Sequence, residues 1–159
     1  MVNQSLYSIL LLSVLLISCE SVSTNTSPNN DPNTDDSWLI PEDQVFVGAG
    51  RDDIPSIDDP SFKPVGDIDF LEDDELIIGV KIGDQIRGYP HQILNYHEIV
   101  NDFIGGEAVA VTFCPLTGSA LAWNREIEGE ATEFGVSGLI HKNNLIAYDR
   151  ATNSYWSQM

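Results

Sequence analysis

Residues 88–119 constrain the fold of this chain more than any other stretch of the sequence. Pro90 suits the first turn of a helix, where its missing N–H group has no intrahelical partner. Apolar residues then recur at three- and four-residue intervals as far as Ile104, and two glycines end the pattern. Beyond the glycines, an apolar run ends on Cys114, just before a Pro-Leu-Thr-Gly turn. The pattern predicts one main helix over residues 90–104 and a strand that carries Cys114 at its end.

The rest of the domain has the composition of strands. Two apolar runs, residues 76–82 and 85–89, are separated by Gly83-Asp84, which is typical of a β-hairpin. After Cys114, short apolar runs alternate with Gly, Asn and Asp, and this alternation favours an antiparallel sheet. We therefore expect an α+β fold that is mostly antiparallel β, with the main helix packed on the sheet. Because the last run is still apolar and aromatic where the chain ends, we expect a truncated domain that is incomplete at its C-terminus.

The N-terminus has the pattern of a targeting segment. Residues 6–17, LYSILLLSVLLI, are almost wholly apolar and have the length of a signal-peptide core. They lead to Leu-Ile-Ser-Cys, which resembles the lipobox of bacterial lipoproteins and implies a signal peptide over 1–18 with a lipid on Cys19. The segment before the apolar core has no Lys or Arg, so an uncleaved apolar anchor is the alternative. Either arrangement places the domain outside the cytoplasm, attached to a bacterial membrane.

A polar segment separates this leader from the domain. Residues 19–45 are rich in Ser, Thr, Asn, Pro and acidic residues and show no apolar periodicity. A segment of this composition buries too little apolar surface to offset the entropy lost on ordering. We therefore expect a disordered acidic tether over 19–45 and a single domain over 46–159.

Acidic residues strongly outnumber basic residues. The chain has 25 Asp and Glu against 7 Lys and Arg, a formal net charge of −18. Because such a charge repels phosphate backbones, nucleic acid is not an expected partner. Four carboxylates in the leading half supply the hard oxygen ligands that calcium prefers: Asp67, Asp69, Asp73 and Asp74. Their spacing lacks the glycine and the terminal glutamate of a calcium loop, so a solvated surface is the alternative.

Cys114 is the candidate centre of any chemistry. If Cys19 carries a lipid, Cys114 has no disulfide partner within the chain. One hypothesis gives the Cys114 thiolate a redox or nucleophilic role, with His97 as the base or charge partner that lowers its pKa. Four further residues would support such a site by donating hydrogen bonds or neutralising charge: Thr117, Ser119, Arg87 and Arg150. The alternative is a buried Cys114 that behaves as a small hydrophobic residue.

Two other functions stay open at this point. One thiolate with one or two imidazoles forms a soft site for copper or zinc, for which the sequence offers Cys114, His97 and His141. Alternatively, the domain is a lipid-tethered, non-enzymatic binding module in which Cys114 packs in the core. Its contact surface would consist of four aromatic residues: Trp123, Tyr148, Tyr155 and Trp156. The sequence does not identify a small-molecule or protein partner.

Several separate motifs keep the order found in a known family. They are DDELIIGV (73–80), YP (89–90), ILNYHEIVND (93–102), TFCPLTG (112–118), FGVSGL (134–139), YDR (148–150) and WSQ (156–158). In this order they resemble the domain of unknown function catalogued as family 3179, from residue 54 to the end of the chain. Some members of that family are described as selenoproteins, so the resemblance implies redox or nucleophilic use of sulfur or selenium.

The chain departs from the family at one position. Many members have Cys-Pro-Leu-Cys where this chain has Thr117 in place of the second cysteine. The departure argues against a two-cysteine redox cycle and against a metal site with two thiolates. The family domain normally continues past the WSQ motif, which agrees with the expected truncation. The resemblance implies no specific reaction.

Overall fold

The computed structural model of the protein describes residues 38–159. The expected signal peptide, the lipidation site Cys19 and the expected tether as far as residue 37 lie outside the described residues. The described part begins with two 3-10 helices, Glu42–Gln44 and Val65–Asp67. Its other elements are β1 (Val45–Val47), β2 (Ile77–Ile82), β3 (Gln85–Pro90), α1 (His91–His97), β4 (Ile99–Ile104), β5 (Glu107–Cys114), β6 (Ser119–Asn124), β7 (Glu126–Ile127), β8 (Glu130–Ala131), β9 (Phe134–His141), β10 (Asn144–Asp149) and β11 (Tyr155–Ser157).

The strands pair in four antiparallel groups. The largest is a four-stranded sheet in the order β1-β9-β10-β11, and the second is a three-stranded sheet in the order β4-β5-β6. The hairpins β2-β3 and β7-β8 complete the set. The β2-β3 hairpin confirms the prediction made from Gly83-Asp84, since Gly83 has φ +57° and supplies the left-handed conformation that a two-residue hairpin turn needs.

Strand β5 lies between two hydrophobic clusters because its side chains alternate between the two faces of the sheet. The first cluster consists of Tyr89, Leu94, Val100, Ile104, Val109, Val111 and Phe113. The second cluster consists of Ile99, Ala110, Cys114, Phe134, Val136, Leu145 and Ala147. The first cluster joins β5 to β3 and α1, and the second joins it to β9 and β10. The β4-β5-β6 sheet is therefore the middle layer, and Cys114 faces the four-stranded sheet.

The expected α+β fold with one main helix is wrong. The structure is dominated by antiparallel strands, and its α-helix is only seven residues long, from His91 to His97. Glu98 ends the helix with a positive φ of 58°, and the chain continues as strand β4 rather than as helix up to residue 104. The predicted helix over 90–104 is thus a short helix followed by a strand.

The helix prediction fails because some residues of this segment fit the periodicity of a strand as well as that of a helix. Val100 and Ile104 are four residues apart, which places them on one face of a helix and equally on one face of a strand. Gly105 and Gly106, with φ of +63° and +93°, form the two-residue turn of a hairpin, so β4 pairs with β5 along its whole length. The ladder and the burial of β-branched side chains on both faces favour the strand over the helix.

The N-terminal edge of the described chain is part of the domain. Residues 38–45, which the sequence assigns to the tether, include the first 3-10 helix and the first residue of β1. The Trp38 ring stacks on Tyr155 with a centroid distance of 5.1 Å. None of the helices in residues 38–159 combines the length and the apolar character needed to cross a membrane.

Candidate functional site

Cys114 lies at the end of β5 with its side chain in the second cluster. Only 2% of the residue is exposed. Its Sγ donates a hydrogen bond to the backbone oxygen of Asn143 at 3.5 Å. Asn143 belongs to the two-residue turn between β9 and β10, where Lys142 and Asn143 both have positive φ, of 49° and 64°. The thiol is therefore enclosed where the β5-β6 turn meets the β9-β10 turn.

A network of hydroxyl and amide groups adjoins the thiol. The hydroxyls of Thr117 and Ser119 are 2.7 Å apart, and Asn144 Nδ2 donates to Ser119 Oγ at 3.0 Å. Ser119 Oγ donates to Gln158 Oε1 at 2.8 Å, and Gln158 Nε2 donates to Thr112 Oγ1 at 2.9 Å. The network ties the middle sheet to β10 and to the residue that follows β11. We call these residues, together with Cys114 and His141, the Cys114 cluster.

Two members of the Cys114 cluster have buried polar atoms without partners. His141 is 5% exposed, and neither of its ring nitrogens has a hydrogen-bond partner among residues 38–159. Asn144 is 2% exposed, and its Oδ1 likewise has no partner there. No other buried side-chain nitrogen or oxygen in this part of the chain lacks a partner. Since buried polar groups in native proteins are almost always satisfied, this pair calls for an explanation.

His141 and Asn144 lie at the end of the β9-β10 ladder, beside the turn that Cys114 contacts. They are directly opposite each other in that ladder. Cys114 and Ser119 are directly opposite in the β5-β6 ladder and share a face. Asn144 donates to Ser119, and the Cys114 thiol donates to the Asn143 carbonyl. His141 therefore ends β9 close in sequence to the acceptor of the thiol's hydrogen bond.

The structure does not bring His97 into hydrogen-bond contact with Cys114. His97 Nδ1 lies 2.8 Å from the backbone oxygen of Pro55. The buried residue of its helix, Leu94, belongs to the first cluster, on the other face of the middle sheet from the Cys114 side chain. His91 is on that same side, with its ring 4.4 Å from the ring of Phe113. Of the three histidines, only His141 ends a strand beside the turn that accepts the hydrogen bond of the thiol.

Arg87 is paired on the first-cluster side of the middle sheet. Its Nη1 is 3.2 Å from both carboxylate oxygens of Asp102, and its guanidinium lies over the ring of Phe62 at 4.1 Å. Tyr89 donates to the same carboxylate at 2.7 Å. Burial raises the pKa of Tyr89 above its ordinary value, and the negative Asp102 beside it raises it further. This group stabilises the sheet and is separate from the Cys114 cluster.

Arg150 lies at an open cleft of about 440 Å³ that Phe103 and Arg125 also line. Its Nη1 donates to Asp58 at 2.7 Å and to Glu133 at 2.6 Å. Burial disfavours the charge of Arg150, but the hydrogen bonds to these carboxylates outweigh it and hold the pKa above the ordinary arginine value. Arg150 is thus engaged with carboxylates and makes no hydrogen bond to the Cys114 cluster. Of the four supporting residues suggested by the sequence, Thr117 and Ser119 lie in the cluster.

The proposed metal ligands do not form a conventional site. Within residues 38–159, no three His, Cys, Asp or Glu side chains are grouped so that they could hold a metal ion. His141 ends β9 beside the turn that Cys114 contacts, while His97 bonds to the backbone oxygen of Pro55. The four carboxylates suggested for calcium are all solvent-exposed: Asp67, Asp69, Asp73 and Asp74.

The four aromatic residues of the suggested contact surface differ in exposure. Tyr148 is 4% exposed, and its hydroxyl donates to Asp52. Trp123 is partly buried and packs edge-to-face on Phe134 at 5.5 Å. Trp156 is 42% exposed and donates through Nε1 to Asp149 at 2.9 Å. Tyr155 is partly buried, so Trp156 is the most exposed of the four.

Sequence reasoning missed Asn144, Gln158 and Thr112 as members of the Cys114 cluster. Gln158 lies in the WSQ motif, directly after β11, and Asn144 directly follows the two-residue turn between β9 and β10. The sequence therefore contained the elements of the cluster without indicating which turns meet.

The fold and the cluster together define a layered, sheet-dominated domain with a buried thiol and a polar network between two sheets. The family described as "Protein of unknown function (DUF3179)" matches residues 51–159, and the chain belongs to this family. This confirms the resemblance drawn from the ordered motifs. No curated protein matches the chain, and no solved structure matches it.

Proposed function

We propose that this protein is anchored outside the cytoplasm through a lipid on Cys19 and that its domain has a thiol-centred redox or nucleophilic site at Cys114. His141 replaces His97 as the imidazole partner in this proposal. The observation that carries it is the junction of the two turns, where the Cys114 thiol donates to Asn143 and the buried His141, whose two ring nitrogens lack partners in residues 38–159, ends the adjoining strand. An imidazole with a free nitrogen can accept a thiol proton or, when protonated, stabilise a thiolate.

The surrounding groups suit a sulfur atom that changes its charge. Asn144 Nδ2 and the hydroxyls of Thr117 and Ser119 are donors that rotation or small shifts can direct toward an anion. The thiol donates to the Asn143 carbonyl, which orients the sulfur at the junction of the two turns. The reacting partner has to be small, because Cys114 is only 2% exposed.

A second candidate is the non-enzymatic binding module, which the packing of Cys114 favours. The residue belongs to a cluster of aliphatic and aromatic side chains that includes Ala110 and Phe134. In this case the thiol only packs in the core, and exposed residues such as Trp156, which is 42% exposed, contact the ligand.

The test is thiol modification of the folded full chain with Cys19 replaced by Ser, so that Cys114 is the one remaining thiol. Methyl methanethiosulfonate transfers its methylthio group to the sulfur and releases methanesulfinate, and intact mass measures the rate. We expect His141→Asn to slow the reaction at neutral pH by about 100-fold, the lower end of the range for a positioned base. His97→Asn is the matched control and leaves the rate unchanged.

Equal rates in the His141→Asn and His97→Asn proteins would contradict the thiol-centred site. Modification that proceeds only as fast as global unfolding, measured in parallel by tryptophan fluorescence, would support the binding module. The anchor is tested separately, because radiolabelled palmitate is incorporated into the natural chain and not into the Cys19→Ser protein if the proposal holds.

A further inference from the structure

We propose that the open cleft at Arg150 binds a free neutral α-amino acid, with the ligand carboxylate on Arg125 and the ligand ammonium on Glu133. The volume of the cleft, about 440 Å³, lies within the roughly 300–1,000 Å³ that is typical of small-molecule sites. None of the residues that line the cleft belongs to the Cys114 cluster. The proposal is therefore independent of the thiol-centred site.

Arg125 is a buried cation without a carboxylate partner. It is 4% exposed, and none of the three ion pairs within the described residues includes it. Its guanidinium is held by neutral groups instead: Nε donates to the backbone oxygen of Asp102 at 3.2 Å, and Nη1 donates to that of Thr132 at 2.7 Å. Burial lowers the pKa of Arg125, and the negative charge of Glu133 offsets this only in part. Because an arginine is rarely buried without an anion, this side chain points to a ligand.

The third nitrogen of Arg125 is accessible from the cleft. Nη2 makes no hydrogen bond within the described part of the chain, and it is not among the fully buried atoms that lack a partner there. It is therefore in contact with solvent. The ring of Phe103 lies 4.3 Å from the guanidinium and, together with the two carbonyl bonds, fixes its plane. A guanidinium that is already fixed binds a carboxylate with little loss of conformational entropy.

The charges that line the cleft favour a ligand with both a positive and a negative group. Arg125 and Arg150 contribute two positive charges, and Asp58 and Glu133 contribute two negative charges. A simple anion would be repelled by both carboxylates and by the net charge of −18 of the chain. A zwitterion is neutral overall, and its two charged groups can each contact a group of opposite sign.

Glu133 is the carboxylate that can accept from an ammonium group. Asp58 Oδ1 accepts from Ser56 and Asn101. Asp58 Oδ2 accepts from Arg150. Glu133 accepts from Arg150 through Oε2, and its Oε1 makes no hydrogen bond within residues that the structure describes. The Glu133 side chain is also the more exposed of the two, at 44% against 34% for Asp58.

The remaining lining suits a short aliphatic side chain. Phe103, Ala131 and Ala151 line the cleft, and Phe103 is 53% exposed. A free α-amino acid has its carboxylate and its ammonium on the same carbon, whereas a peptide separates its two termini along the chain. Both charged groups of a free amino acid therefore fit one cleft, and L-leucine is a suitable probe.

The experiment is isothermal titration calorimetry of the full Cys19→Ser chain with glycine, L-alanine and L-leucine. We expect one L-leucine per chain. N-acetyl-L-leucine lacks the ammonium and L-leucine amide lacks the carboxylate, so each should bind about 10-fold more weakly or worse, because a charge-assisted hydrogen bond is lost. Intermolecular NOEs between the leucine methyl groups and the Phe103 ring should place the ligand in the cleft.

Variants separate the two ligand contacts. The Glu133→Gln protein should lose the preference for L-leucine over N-acetyl-L-leucine, which a general loss of stability would not produce. Glu130→Gln, at an exposed position of β8 outside the cleft lining, is the matched control and should bind as the parent does. Arg125→Lys should weaken binding of L-leucine and N-acetyl-L-leucine alike, since lysine lacks the planar fork. Circular dichroism melting verifies folding, and Glu133→Gln decides alone if Arg125→Lys does not fold.

Four results would overturn the proposal. The first is the absence of saturable binding of all three amino acids. The second is equal affinity for L-leucine and N-acetyl-L-leucine, which would indicate a simple anion site, and the third is equal affinity for L-leucine and its amide. The fourth is equal affinity of the Glu133→Gln and Glu130→Gln proteins for L-leucine.

Discussion

Replacing Asn101 by Ala should remove the best-defined link between the two main sheets. Asn101 is on β4 and is only 1% exposed. Its Nδ2 donates to the backbone oxygen of Phe134 on β9 at 2.8 Å, and its Oδ1 accepts from the Phe134 N–H at 2.8 Å. The same Nδ2 also donates to Asp58 at 2.8 Å. One side chain thus satisfies both backbone groups of a buried residue in the neighbouring sheet.

The expected loss follows from the groups left behind. In the Asn101→Ala protein, the N–H and the C=O of Phe134 both lack their partner, and each unsatisfied buried group costs about 1–3 kcal/mol. Asp58 keeps its bonds to Ser56 and Arg150 and adds little to the cost. We therefore expect the free energy of unfolding to fall by about 4 kcal/mol, a large part of the roughly 5–15 kcal/mol typical of a domain.

Urea unfolding followed by tryptophan fluorescence measures this loss. The midpoint should move to much lower urea while the slope stays the same, since the surface exposed on unfolding is unchanged. Asn95→Ala, an exposed position on α1, is the matched control and should change stability by less than about 0.5 kcal/mol. A loss of less than about 1 kcal/mol for Asn101→Ala would refute the reasoning, because it would mean that the orphaned Phe134 groups find other partners.

Three further perturbations test other parts of the fold. Burial raises the pKa of Glu98 above 4.5, so the ionised carboxylate destabilises the folded state. The Glu98→Gln protein should therefore melt at a higher temperature than the parent at neutral pH, and the two melting temperatures should converge below the ordinary pKa of Glu. Burial alone would raise the pKa of Asp149, but hydrogen bonds from Trp156 and Thr152 outweigh it and hold the pKa below 3.8. The Asp149 carboxylate therefore contributes fully to stability above that value, and this contribution is lost as the pH falls. Asp149→Asn should flatten the dependence of the melting temperature on pH down to about pH 3. Gly138 has φ +76°, and an added Cβ would collide with the backbone of Ala49. Urea unfolding should therefore show that Gly138→Ala destabilises the protein by at least about 2 kcal/mol. Gly79→Ala, whose added Cβ meets open space, should be nearly neutral.

The local turn chemistry of the fold could be predicted from the sequence, but the pairing of its elements could not. Gly83 identified the β2-β3 hairpin because a two-residue turn needs a positive φ. Gly105 and Gly106 gave the same signal, yet the spacing of Val100 and Ile104 satisfied a helix as well as a strand. Only the ladder between β4 and β5, a tertiary feature, decides between the two.

The candidate site, like the fold, could be predicted from the sequence only in part. Cys114, Thr117 and Ser119 are close in sequence, and the hydroxyls of Thr117 and Ser119 lie 2.7 Å apart at the β5-β6 turn. The sequence could not show which histidine lies nearer to Cys114, since His97 and His141 are both separated from Cys114 by intervening elements. Strand alternation determines the outcome: it turns Cys114 toward β9 and β10 and away from α1.

The proposed thiol-centred site requires the ring of His141 to lie close to the thiol of Cys114. Histidine-selective NMR of the metal-free Cys19→Ser chain tests it directly, because the chain has three histidines. Replacing Cys114 by Ser should shift the ring resonances of His141 and leave those of His91 and His97 in place. Unchanged His141 resonances, or a shift confined to His97, would contradict the account.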